Sequence, residues 1–121
     1  MNRRILVVDD EQNIRHVFST MISFIGFEVE VAENGDKALN YLLKSKFDLV
    51  LTDLNMPDMD DWTLAHHIKE ISPATPVVLV TGDEKEWTLK KIRDSSVDSV
   101  LLKPVGLQDV QKILHRILDR Y

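Results

Sequence analysis

The chain has 121 residues, 44% of them hydrophobic, which is enough apolar side chain to fill one core and too short for two domains. Its formal charge of -5 leaves no footprint for direct nucleic-acid binding, and the lack of cysteine excludes disulfides, thiolate metal sites and cysteine nucleophiles. No run approaches the roughly 20 apolar residues of a membrane span, and the apolar part of MNRRILVVDD is too short for a signal peptide, so a cytoplasmic protein is expected.

Ile5 to Val8 is a short, β-branched apolar run and reads as the first strand. A helix is predicted from Gln12 to Ile25, with Ile14, Val17, Phe18, Met21, Ile22 and Ile25 at helical spacing and Gly26 as its stop. Val29 to Ala32 is a second strand. Asn34 is a good N-cap for a second helix whose apolar side carries Ala38, Leu39, Leu42 and Leu43. After a third strand, Leu49 to Thr52, a third helix covers Asp61 to Ile71 with Leu64, Ala65, Ile68 and Ile71 inward, and Pro73 follows it. Val77 to Val80 is the fourth strand. The fourth helical segment, Glu84 to Arg93, scatters Trp87, Leu89 and Ile92 among charges and is expected to be the loosest. Val100 to Leu102 is the fifth strand, and Leu107 to Arg120 the fifth helical segment, with a clean apolar stripe.

Strict alternation of five strands and five helices predicts an α/β fold with a parallel sheet and helices on both faces, because right-handed crossovers bury each strand on both sides. The corresponding architecture is a flavodoxin-like (βα)5 sheet of order 2-1-3-4-5, one domain over residues 1–121.

Asp9, Asp10, Asp53, Thr81 and Lys103 each stand at or just past the C-terminal end of a strand, where such sheets bind ligands. In the 2-1-3-4-5 order the first and third strands are neighbours, so Asp9, Asp10 and Asp53 share one crevice. Clustered carboxylates repel, and a cation is expected among them. Hard oxygen donors without histidine or cysteine suit Mg²⁺ or Mn²⁺, which commonly bring phosphate oxygens. Lys103 and Thr81 suit the oxygens of a phosphoryl group in transfer, and a carboxylate can be the nucleophile that receives it.

The stretches ILVVDDE at 5–11, AENGDKAL at 32–39, DLVLTDLNMPDMD at 48–60, TPVVLVTG at 75–82 and LKP at 102–104 occur in that order over nearly the whole length. With them the chain resembles the receiver domain of the two-component response regulator family. The resemblance implies that Asp53 accepts phosphate from the phosphohistidine of a histidine kinase or a histidine phosphotransfer protein. It also implies that Asp10, Asp53 and the Asn55 carbonyl ligate the metal, with Asp9 acting mostly through water. Thr81 and Lys103 bind phosphoryl oxygens, the Lys103–Pro104 bond is cis, and Asn55 and Asp83 modulate a slow loss of the phosphoryl group.

A downstream protein target, or an output domain absent from this chain, would then read the surface of the fourth helical segment, fifth strand and fifth helical segment; a phosphorylation-dependent dimer fits the same picture. Val100 departs from the family, which usually has Tyr or Phe there, so a rotating aromatic switch does not transfer to this chain.

Two rivals stand beside this reading. One is a phosphorylation-independent docking domain with a vestigial pocket. The other is a Mg²⁺-dependent phosphatase with an aspartyl nucleophile, for which Asn55 stands where an acid/base carboxylate is needed. His66 and His67 are adjacent, about 100° apart on a helix, and with His16 and His115 read as surface or boundary residues. Trp62 is expected to pack beside the third helix and Trp87 to be the better partner contact.

Overall fold

The computed structural model describes residues 3–53, 61–82 and 95–119. The fourth helical segment of the sequence, with Trp87, lies outside them, as do Asn55 and Asp83. The described residues form nine elements in chain order: β1 (Arg4–Val8), α1 (Gln12–Ile25), β2 (Glu28–Ala32), α2 (Gly35–Lys44), β3 (Leu49–Asp53), α3 (Asp61–Ile71), β4 (Val77–Thr81), β5 (Ser99–Leu102) and α4 (Leu107–Leu118), the last being the fifth helical segment of the sequence. Among the described residues no helix is long and apolar enough to cross a membrane.

The strands form one parallel sheet of order β2-β1-β3-β4-β5. Side chains alternate across it, as the pleat requires. Leu6, Val8, Val50, Val77 and Leu79 face the layer of α2 and α3, where they meet Ala38, Leu42, Leu64, Ala65 and Ile68. Ile5, Val7, Leu49, Leu51, Val78 and Val80 face α1 and α4, against Phe18, Ile22, Val110, Ile113, Leu114, Ile117 and Leu118. Both faces are therefore covered, which is why the central strands are apolar at consecutive positions.

Local chemistry sets the helix ends. Gly26 takes φ of +113°, open to it because it lacks Cβ, and its N–H closes α1 on the carbonyls of Ile22 and Ser23. The Asn34 side chain accepts from Lys37 N at 2.9 Å and starts α2. At α4 the Asp109 carboxylate accepts from Gly106 N at 2.9 Å.

Three apolar positions of the predicted stripes are exposed. Val17 is 50% exposed, Leu43 68% and Leu107 36%, because Val17 and Leu43 each lie a further 100° round the helix from the stripe residue beside them and Leu107 opens the first turn of α4. The strands are also longer than their apolar runs: hydrogen bonding carries β3 through Asp53 and β4 through Thr81. Both polar residues thus hold strand geometry rather than starting a loop.

The N-terminal edge of the sheet is tied by a polar network. Lys69 Nζ donates to Thr75 O at 2.7 Å and pairs with Asp98 Oδ2 at 2.9 Å; that same oxygen accepts from Val77 N at 2.7 Å. Asp98 N returns a bond to Val77 O at 2.8 Å, and Thr75 Oγ1 reaches Phe47 O at 3.3 Å. One carboxylate so joins α3, β4 and the entry to β5. Asp98→Ala leaves the buried Val77 N–H without its acceptor and is expected to cost about 1–3 kcal/mol, with Asp98→Asn costing less because it keeps an acceptor. Urea denaturation measures both, and an alanine variant as stable as the wild type would contradict the role given to this carboxylate.

Candidate functional site

The C-terminal rim of the sheet is where the charged residues gather. Val8 pairs with Thr52 in register, so Asp9, just past β1, stands level with Asp53 at the end of β3. Asp9, Asp10 and Asp53 each offer a carboxylate oxygen, all within 4.8 Å of one another. Asp9 and Asp53 are only 3% and 7% exposed, whereas Asp10 is open to solvent.

On the far side of Asp53, Lys103 N donates to Thr81 O at 2.7 Å, one step beyond the β4–β5 ladder. That places the side chain at the crevice, and Lys103 Nζ lies 3.1 Å from Asp53 Oδ1. The Lys103–Pro104 peptide is cis. Thr81 is fully buried as the last residue of β4. The five strand-end residues read from the sequence therefore stand on one rim, and Lys103 touches the carboxylate group through Asp53.

Asp9 is anchored on every side. Its N–H donates to Ala32 O at 3.1 Å, its Oδ1 accepts from Glu11 N at 2.9 Å, and its carbonyl accepts from Arg15 Nη1 at 2.8 Å. Burial is the main reason its pKa rises from 3.8 to about 6; the charges of Asp53 and Asp10 push the same way, against the Glu11 N–H bond and the Lys103 charge. For Lys103 burial works to lower the pKa, yet the bond to Asp53 and the charges of Asp53, Asp9 and Glu11 together raise it. Three carboxylates facing one ammonium leave excess negative charge, and a divalent cation would neutralise it.

The donor set fits a hard cation. It is made of carboxylates alone, as Mg²⁺ or Mn²⁺ prefer. The three oxygens stand close enough together that one ion could draw on them directly or through water. The second set of histidines and carboxylate is different in kind: His66 Nε2 and His67 Nδ1 lie 3.0 and 3.6 Å from Glu70 Oε1 as exposed helix-surface pairs. Val100 sits mid-strand in β5, opposite Leu79, packed at the margin of the α2–α3 core. Trp62 packs against that same core, as expected.

Arg15 is the residue the sequence reading missed. A signal was there, because a cation in the early part of α1 opposes the helix dipole and calls for another partner.

The response regulator receiver domain model matches residues 5–115. The sensor histidine kinase RcsC of Escherichia coli K12 is 34% identical over 116 residues, covering 96% of this chain and 12% of that protein. The regulatory protein AtoC of the same strain is 37% identical over 117 residues, 96% of this chain and 25% of that one. The chain thus spans a minor part of both. Among solved structures, a CheY-like receiver domain protein from Methanospirillum hungatei JF-1 superposes with a TM-score of 0.90 at 28% identity, covering 99% of this chain and 96% of that one. The response regulator TrrA from Thermotoga maritima, in complex with Mg(2+)-BeF, gives 0.87 at 28% identity over 96% of this chain and 99% of that one. A parallel sheet of order 2-1-3-4-5, an acidic rim with its lysine and a family match along nearly the whole length agree: the chain belongs to the response regulator receiver domain family of two-component systems.

Proposed function

We propose that Asp53 is the phosphoacceptor of this receiver, charged by the phosphohistidine of a histidine kinase or phosphotransfer protein. The observation that carries the reading is the convergence of Asp9, Asp10 and Asp53 within 4.8 Å, with Lys103 Nζ 3.1 Å from Asp53 Oδ1. A domain with a vestigial pocket has no use for carboxylates held together against their repulsion. The structural relative that carries Mg(2+)-BeF supports the same chemistry.

In this mechanism an Asp53 carboxylate oxygen attacks phosphorus in line. The new P–O bond forms as the P–N bond to the partner's imidazole breaks, and the imidazole leaves with the electron pair. Asp9, Asp10 and Asp53, with the Asn55 carbonyl, would hold Mg²⁺, which supplies positive charge to the phosphoryl oxygens. Lys103 pairs with one of those oxygens, and the buried Thr81 hydroxyl binds another. Burial of Asp9 and Asp53 keeps the surrounding dielectric low, so each of these charges acts more strongly than it would in water. Asn55 and Asp83 act on the later hydrolysis, which is loss of a signal rather than enzymatic turnover.

Transmission starts where the new dianion meets Thr81 and Lys103, at the ends of β4 and β5. Val100 has no ring to rotate, so the change passes through the backbone ladder that joins Thr81 to Leu102 and Lys103. The downstream target reads a shallow groove between β5 and α4, lined by Val100, Leu101, Lys112, Ile113 and Arg116. Differential affinity of that target for the two states sets the size of the response.

Incubation with acetyl phosphate and Mg²⁺ should add about 80 Da to the intact mass, the weight of one phosphoryl group on a carboxylate, and Asp53→Asn should abolish the adduct. An adduct that survives in the variant would move the acceptor elsewhere.

A second outcome concerns pH. Because the folded pKa of Asp9 lies near 6, above its unfolded value of 3.8, the stability this group contributes is complete below pH 4 and is lost as pH rises through 6. Without divalent ions, Asp9→Asn should therefore stabilise the fold by about 1–3 kcal/mol at pH 7.5 and give no advantage near pH 4. Thermal melts across that range in chelator measure it; a variant less stable at pH 7.5 would refute the electrostatic account.

A further inference from the structure

Asp10 is the exposed member of the acidic trio, and among the described residues its carboxylate has no hydrogen bond or ion pair to hold it. Its place beside Asp9 and Asp53 is therefore set by the backbone that carries it. That backbone is pinned twice, by Glu11 N on Asp9 Oδ1 at 2.9 Å and by Arg15 Nη1 on Asp9 O at 2.8 Å. The second bond falls on the carbonyl of the peptide that joins the two carboxylates, so it restrains the torsions that aim Asp10.

Arg15 is placed for this. It is half-buried, its own N–H continues α1 by donating to Glu11 O at 3.1 Å, and it forms no ion pair among the described residues. Early in a helix a cation works against the dipole, and on a rim that must attract a divalent cation it adds repulsion. Both costs are explained if its donor, not its charge, is what the site uses. We propose that Arg15 is a positioning residue for the metal site: it fixes the Asp9–Asp10 peptide and so presents Asp10 to the cation. The inference rests on the receiver reading above and assigns a role to a residue outside the carboxylate–threonine–lysine set.

The sign of one measurement separates the alternatives. If Arg15 acts through charge alone, Arg15→Met removes repulsion and Mg²⁺ binds more tightly. If it positions Asp10, Arg15→Met weakens Mg²⁺ binding by about tenfold or more, the usual effect of removing a group that orients a ligand. Isothermal titration of the full chain with Mg²⁺ reads this directly, with Arg15→Lys expected between the wild type and the methionine variant. Amide exchange without metal gives a second reading: the Glu11 N–H should exchange faster in Arg15→Met.

Asp98→Ala, which loosens the opposite edge of the sheet, serves as the stability control and should bind Mg²⁺ like the wild type. Equal or tighter binding in Arg15→Met overturns the proposal, as does an equal loss in Asp98→Ala. Wild-type protein that binds no Mg²⁺ would instead bring down the receiver reading itself, and this inference with it.

Discussion

Repulsion among three carboxylates is the constraint around which this molecule is organised. Two unit charges about 4 Å apart repel by roughly 4 kcal/mol at an effective dielectric near 20, and here three oxygens lie within 4.8 Å of one another with two of the side chains buried. The fold answers in part. Lys103 comes within 3.1 Å of Asp53, Glu11 N binds Asp9, and Asp9 takes up protons far more readily than a free aspartate. What is left over is negative and open to solvent at Asp10, an excess that a divalent cation could neutralise.

Such an arrangement can exist only because the rest of the sheet does not depend on it. The central strands are sealed on both faces, with Leu6, Val50 and Leu79 on one side and Ile5, Leu49, Leu51 and Val78 on the other almost wholly buried. At the N-terminal edge the carboxylates of the network are matched: Asp98 with Lys69 and Val77 N, and Asp48 with Arg4 N at 2.7 Å. At the C-terminal edge the carboxylates outnumber the one ammonium that faces them. In a protein of marginal stability, an imbalance of this kind is tolerated where the other edge and the core make up for it.

Much of this was legible in the residues. Alternating apolar runs and helical stripes place each strand within one residue of its end, and the order 2-1-3-4-5 by itself brings Asp9, Asp10 and Asp53 together. Gly26 and Asn34 end and begin helices as their chemistry requires. What escaped was whatever depends on the direction of a single side chain. Val17 and Leu43 satisfy an apolar count yet face water, because a stripe has an angular width that spacing alone does not show. Asp98 looks like a loop acid but accepts from a backbone 21 residues away, and Glu70 lies within reach of both His66 and His67, a meeting that adjacency of the histidines alone does not suggest. The place of Arg15 early in α1 signals that it needs a partner, but that the partner is the Asp9 carbonyl is not written in the charge pattern.

Val100 limits how a change at the rim could reach the surface of β5 in this chain. A family member with an aromatic ring at this position has a bulky lever between the phosphorylation site and the surface; a half-buried valine in β5 has only its backbone and a small packed side chain. Thr81 and Lys103 are joined through that backbone, Lys103 N to Thr81 O at 2.7 Å, and Leu102 pairs with Thr81 in register. A pull on either side chain is therefore felt first as a displacement of the β4–β5 ladder. Arg116, which reaches from α4 to Ser99 Oγ at 3.1 Å, ties the start of that same strand to the helix beside it. If Asp53 takes up a phosphoryl group as proposed above, the path from anion to surface is short and made of main chain, and the expected response is a small shift of β5 against α4 rather than the swing of a single side chain.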